Sequence, residues 1–174
     1  VTAHLDHPAF IVTAVEGGGF RAEFRGGVND PYFVGAALEL VGPGEARATA
    51  RITALDAETK PFKTVTASVD GAAPAWLAAG CIARWRFPRA EIRDGLIHTD
   101  ACDDLAAAAA ALCALDEVLD RPGCGHVGLL FTVAEEVGFL GCIHAARSGW
   151  MPKEARLLCL ENSRSFPHDS PIGA

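Results

Sequence analysis

Two carboxylates stand side by side at Glu135 and Glu136, in Phe-Thr-Val-Ala-Glu-Glu-Val-Gly-Phe-Leu-Gly (131–141), where an apolar run gives way to a short helical pattern. An unpaired charge at the end of a buried strand costs on the order of several kcal/mol, so such acids need a cation, a shared proton or a basic partner. The nearest basic residues in sequence are Arg121 and Arg147. A bound metal is therefore the reading that best satisfies both acids.

Further candidates follow other apolar runs. His4 and Asp6 close a short first segment, Val1–Pro8, and alternation places them on one face of a strand end. Asp103 and Asp104 follow a run at Leu96–Ala101, and Glu161 follows Arg156–Leu160. In open α/β sheets ligands gather outside the carboxyl ends of the strands, so an acid or His after each of four runs points to one shared cation site. Ordinary roles stay open for each residue. Asp103 or Asp104 can cap the helix that follows, with Asp104 the stronger candidate for a capping or supporting role. Glu135 and Glu136 can be surface acids of a first helical turn, Glu161 a loop acid, and His4 a satisfied strand histidine. An Asp two residues from His4 favours metal binding, because a ligating imidazole needs its second nitrogen held. His7 could line the site. His98, His126, His144 and His168 read as structural or solvent-facing.

The elements that must position these residues come in two styles. From about residue 11 to 93 the pattern is short period-two stretches between Gly and Pro turns: Phe20–Phe24, Ala48–Ile52, Thr64–Val69 and Ala83–Phe87. A small β-barrel or sandwich fits them. From Gly95 the expected order is a strand at 96–101, a helix at 104–119, a strand at 126–133, a helix at 138–148 and a strand at 156–160, a βαβαβ run. The expected fold is thus α/β, a mainly parallel sheet flanked by helices and interrupted by a small β-barrel-like insertion. Residues 1–10 and 94–174 form the first domain and 11–93 the insertion. Gly17-Gly18-Gly19 and Gly26-Gly27 lack the strand, helix and Lys of a phosphate loop and read as turns.

Composition narrows the partners. A formal charge of −7, a pI near 5.3 and no basic stripe argue against nucleic acid and anionic membranes. No run reaches the roughly 18 apolar residues of a membrane span, and the Ala-rich stretch from Ala106 reads as a soluble helix. Six scattered cysteines without CxxC spacing read as reduced, mostly buried thiols. The chain starts at Val1 and stops at Ala174 without terminus-like features, which suggests a piece of a longer protein, and the expected location is cytoplasmic.

The pieces Ala3-His4-Leu5-Asp6, Ile97–Asp104, Phe131–Gly141 and Leu158–Glu161 together resemble the dinuclear zinc aminopeptidases, in particular the glutamyl-aminopeptidase type, whose catalytic domain carries a β-rich insertion. The Glu-Glu segment is the most specific of them. The resemblance implies two divalent ions, zinc with cobalt or manganese as alternatives, bridged by Asp103. One ion would be held also by His4 and Glu161, the other by Glu136. Glu135 would be the general base, Asp6 would orient His4, and a closing His ligand would lie beyond residue 174. It further implies peptide or amide substrates and a homo-oligomer built through the insertion. The chain departs from the pattern where Leu105-Ala106-Ala107 replaces the usual residues after the Asp pair. Glu161 stands where such aminopeptidases place Asp and related carboxypeptidases and deacylases place Glu. A metal-dependent deacylase or carboxypeptidase, and a non-catalytic metal-binding or assembly module of the same fold, stay open beside the aminopeptidase.

Overall fold

The protein is described by a computed structural model covering residues 1–88 and 90–162. Its chain divides into two compact units, Pro8–Ile97 and the pair of segments Val1–His7 and His98–Ala174.

The first of these units is a closed barrel. Its strands are β2 (Ala9–Glu16), β3 (Gly19–Arg25), β4 (Ala37–Val41), β5 (Arg47–Asp56), β6 (Thr64–Val69) and β7 (Ile82–Trp85), and β1 (Thr2–His4) belongs to the other unit. The barrel order is β2-β3-β6-β5-β4-β7, with β7 returning to β2 and every pairing antiparallel. Period-two alternation sends one side chain in two inward. Phe10 and Val12, Phe20 and Phe24, Leu38 and Leu40, Ile52 and Val65 are all buried, while intervening Ala22, Ala50, Ala67 and Ala83 leave room for them. Closure needs strong local twist, and bulges supply it where Thr13 and Thr53 interrupt the registers of β2 and β5. Each of these threonines donates its hydroxyl to the neighbouring strand, Thr13 to the Arg21 carbonyl and Thr53 to that of Thr66. Gly17 and Gly18 join β2 to β3 with φ of 52° and 83°, a pair of positive values that a two-residue hairpin turn of this hand demands.

Part of the barrel core is filled by rings. The single helical turn Asp30–Tyr32 delivers Phe33, whose ring meets Phe24 edge-on at 5.0 Å, and Phe10 packs on Phe24 and Trp85 at 5.2 and 4.7 Å. Lys63 ties the turn down by donating to the Val28 carbonyl and the Asp30 carboxylate while its ammonium lies 5.4 Å from the Phe33 ring centre.

The second unit is smaller in regular structure. β1 pairs in parallel with β10 (Leu130–Thr132), and a single parallel bridge joins Thr2 to Cys159 on its other side. Thr2 donates to the Leu158 carbonyl and accepts from Leu160, so β1 is held between two neighbours. The helix α1 (Ala107–Leu119) lays Ala107 and Ala108 against Ala3, and this small-residue contact lets helix and strand approach closely. The helix α2 (Leu140–Arg147) follows the Glu-Glu segment.

This corrects the expected fold class. Among the described residues the dominant element is a six-stranded antiparallel barrel, with two α-helices and no large parallel sheet flanked by helices. The run at 96–101 is strand only at β9 (Leu96–His98), which pairs with β8 (Glu91–Arg93) in a separate two-stranded sheet. The 126–133 run shortens to β10, and 156–160 contributes only the bridge at Cys159. A parallel strand must be bonded at its edges and covered on both faces. Ile97, Val133, Leu157 and Leu158 are instead more than half exposed, so apolarity there does not mark a buried sheet. The thiols need correction too: all six are free, but Cys113 and Cys159 are exposed and the other four half-buried. His168 lies outside the described residues.

The ring cluster should carry a large share of barrel stability. Phe24→Ala is expected to cost about 3–5 kcal/mol, read as a lower urea midpoint by circular dichroism; an unchanged midpoint would show that the rings are not its packing core.

Candidate functional site

The site is built outward from His4, the last residue of β1, which is only 3% exposed. Its Nδ1 lies 3.0 Å from the Asp6 backbone carbonyl. A carbonyl only accepts, so Nδ1 carries the hydrogen, and in a neutral ring Nε2 then presents a lone pair. That nitrogen faces Asp103 Oδ1 at 3.0 Å, Glu135 Oε2 at 3.8 Å and Glu161 Oε1 at 3.9 Å. A lone pair aimed at carboxylates is repulsive unless a proton or a cation lies between them.

His4, Asp103 and Glu161 each offer a ligand atom, and the three atoms lie within 4.8 Å of one another. Two ligands about 2.0–2.2 Å from one tetrahedral zinc stand on the order of 3.3 Å apart, and the 3.0 and 3.9 Å separations straddle that value. The donor set, one imidazole with its far nitrogen held and two carboxylates, fits a divalent cation. Glu136 is not part of that three-residue group, although its carboxylate is close enough to feel Glu135, Asp103, His4 and Asp6.

The acids crowd one another. Burial, then the charges of Glu135 and Asp103, push Glu136 up to about 7. Burial, followed by Asp103 and Asp104, pushes Glu161 up as well. For His4, burial alone would pull the imidazole down, but Glu135, the Asp6 carbonyl and Asp103 outweigh it and the net shift is upward.

Two further acids have structural partners that residue type alone did not reveal. Asp6 reaches the Glu-Glu segment: its Oδ1 accepts from the Glu135 amide at 3.1 Å and its Oδ2 from the Glu136 amide at 3.3 Å. The backbone carbonyl of Asp6, more than its carboxylate at 3.7 Å, holds the His4 ring. Asp104 is fully buried and caps no helix, since α1 begins without a side-chain cap. Its Oδ2 instead accepts from the His4 backbone amide at 3.0 Å. The hint of these contacts in sequence is that Asp104 adjoins Asp103 and Asp6 lies two residues from His4.

The turn from β10 to α2 is wound tightly enough to aim both glutamates. Ala134 and Phe139 adopt left-handed φ of 59° and 58°, conformations that side chains other than Gly hold only under constraint. The constraint is a set of backbone bonds: Gly138 and Phe139 donate to the Glu135 carbonyl, Leu140 to Ala134 and Gly141 to Val133. A Cβ on Gly141 would run into the Val133 carbonyl oxygen, so this approach requires glycine.

No family model and no curated protein matches this sequence. Solved structures that share its fold include the aminopeptidase APDkam598 from the archaeon Desulfurococcus kamchatkensis, and PhTET1-12s, described as a dodecamer in the asymmetric unit. Each superposes with a TM-score of 0.64 and 20% identity over 84% of this chain. The chain spans 43% and 47% of their respective lengths. At that identity the likeness is one of fold.

Because Glu136 and His4 both bind a proton more tightly in the folded chain than when unfolded, the cation-free fold is favoured at low pH. That advantage is lost as pH rises, for Glu136 across the window from 4.5 to about 7. Urea midpoints of chelator-treated protein should fall from about pH 5 to about pH 8, and a saturating divalent cation should flatten the slope. A profile already flat without cation would contradict the crowding of these acids.

Proposed function

We propose that this chain is a divalent-cation-binding module that shares its fold with aminopeptidases, with the barrel serving as an assembly domain. The observation that carries the reading is the convergence of His4, Asp103 and Glu161 within 4.8 Å, from segments about a hundred and about sixty residues apart. Zinc is the favoured ion, with cobalt or manganese as alternatives, because a His/carboxylate set discriminates weakly among them. The stretch 11–93 is read as a β-rich insertion making contacts between identical subunits. Exposed Tyr32 and Val34 at the barrel surface support that role, as does the dodecamer named for PhTET1-12s.

A second reading is hydrolysis of peptide or amide bonds, and Glu135 favours it. Its carboxylate lies beside the three-residue group without belonging to it, a placement a purely structural site does not need. When bound, a divalent cation polarises a carbonyl and lowers the pKa of water. Glu135, with its amide gripped by Asp6, would take the proton of the attacking water and return it to the leaving amine. A second ion would be held by Asp103 and Glu136. Glu161 keeps deacylase or carboxypeptidase specificity beside aminopeptidase specificity.

Calorimetric titration with Zn2+ should reveal tight binding that Glu161→Gln abolishes, since Glu161 is exposed enough to be replaced without disturbing the core. The same samples should scatter light as assemblies. Binding unaffected by Glu161→Gln would remove the cation site, and a monomer at all concentrations would remove the assembly role.

For the hydrolytic reading, Glu135→Gln should preserve zinc binding and lower cleavage of an aminoacyl anilide by roughly 100-fold or more. Undiminished turnover would exclude Glu135 as the base.

A further inference from the structure

Asn162 follows Glu161 directly and has no part in the reading above, yet its side chain reaches both neighbours of Asp103. A carboxamide nitrogen carries two hydrogens. In this chain Nδ2 donates to the backbone carbonyl of Cys102 and lies 3.4 Å from Asp104 Oδ1. Cys102 and Asp104 flank Asp103 on either side. One amide thus grips the backbone before Asp103 and the carboxylate after it, while its own backbone carries Glu161.

The other oxygen of Asp104 completes the arrangement by accepting from the His4 amide. Asp104 is fully buried, so its carboxylate depends on these two donors for compensation. Besides the β1 bonds to Leu158 and Leu160, the three segments that supply His4, Asp103 and Glu161 are therefore joined through the Asp104–Asn162 pair. Asp103 and Glu161 themselves are about half exposed, with side chains 54% and 53% accessible. Two exposed carboxylates this close repel and, on flexible stems, would swing apart. His4 Nε2 restrains Asp103 at 3.0 Å and reaches Glu161 only at 3.9 Å.

We infer that Asn162 is a positioning residue that fixes the spacing of the Asp103 and Glu161 carboxylates and so sets the cation affinity of the site. This rests on the cation-binding reading of the same site. Residues that hold ligands by hydrogen bonding typically change metal affinity about 10- to 100-fold when removed. Asn162→Ala deletes both donated bonds and should weaken binding within that range. Asn162→Ser keeps one short donor and should lose less. Asn162→Asp sets a second carboxylate against buried Asp104 and should lose most.

The test is titration of the whole chain with Zn2+ and with Co2+, the cobalt absorption spectrum reporting ligand geometry, alongside thermal unfolding of the cation-free protein. The expected result is a weakened Kd and an altered cobalt spectrum in Asn162→Ala and Asn162→Ser, with cation-free unfolding little changed in the serine variant. Lowered unfolding temperature with unchanged Kd and spectrum would assign Asn162 to the fold alone and overturn the inference. Should the alanine variant fail to fold, the serine variant decides by the same criterion. Wild-type binding lost in Glu161→Gln but retained in both Asn162 variants overturns this inference alone. Absence of binding in the wild type overturns the cation site along with it.

Discussion

The arrangement of the smaller unit depends on one imbalance: a single buried imidazole faces a crowd of carboxylates. The ion pairs of Asp103, Glu135 and Glu161 within the described residues are all with the same nitrogen of His4, and Glu136 sits close enough to be pushed upward by two of them. One imidazolium can neutralise one such charge. The remainder must be relieved by protons, by water or by an added cation, and of these a cation bound among the acids offsets the most charge while leaving them ionised. The surrounding elements all serve to keep that crowd from dispersing.

Backbone geometry supplies much of this restraint. Ala107 and Ala108 of α1 lie on Ala3, so helix and strand meet through side chains of one carbon, and the turn before α1 brings Asp104 under the His4 amide. Across β1, β10 is followed by the left-handed Ala134, and the turn closes through Gly141. Larger residues at these contacts would separate the strand ends and with them the ligand atoms.

Much of the barrel was legible because it obeys a local rule. Alternation in 20–24, 48–52, 64–69 and 83–87 maps onto β3, β5, β6 and β7, since inward and outward positions follow from period two alone. The parallel sheet was misread because apolar runs such as 126–133 and 156–160 do not carry their pairing partners with them, and most of their length is exposed. For the candidate site, residue type and placement after apolar runs singled out His4, Asp103 and Glu161, which the fold gathers within 4.8 Å. The bonds from Asp6 to the Glu135 and Glu136 amides, and from Asn162 to Cys102 and Asp104, were not legible. They span 129 and 130, and 60 and 58, residues and follow no period.

The acids of this unit thus divide by what they touch. Asp6 and Asp104 spend their oxygens on amides: Asp6 on the first residues of the Glu-Glu turn, Asp104 on the amide of His4 and that of Asn162. A carboxylate so occupied has its lone pairs taken up by N–H donors and is poorly available to a ligand. Asp103 and Glu161 take the opposite course, remaining half exposed and turned toward Nε2 of His4. Acids bonded to amides hold backbone in place while the more exposed acids converge on one point, a division that suits a cation site. The same sequence neighbours, Asp103 beside Asp104 and Glu161 beside Asn162, supply one member to each role, so the peptide bond between them transmits the position of the buried partner to the exposed one.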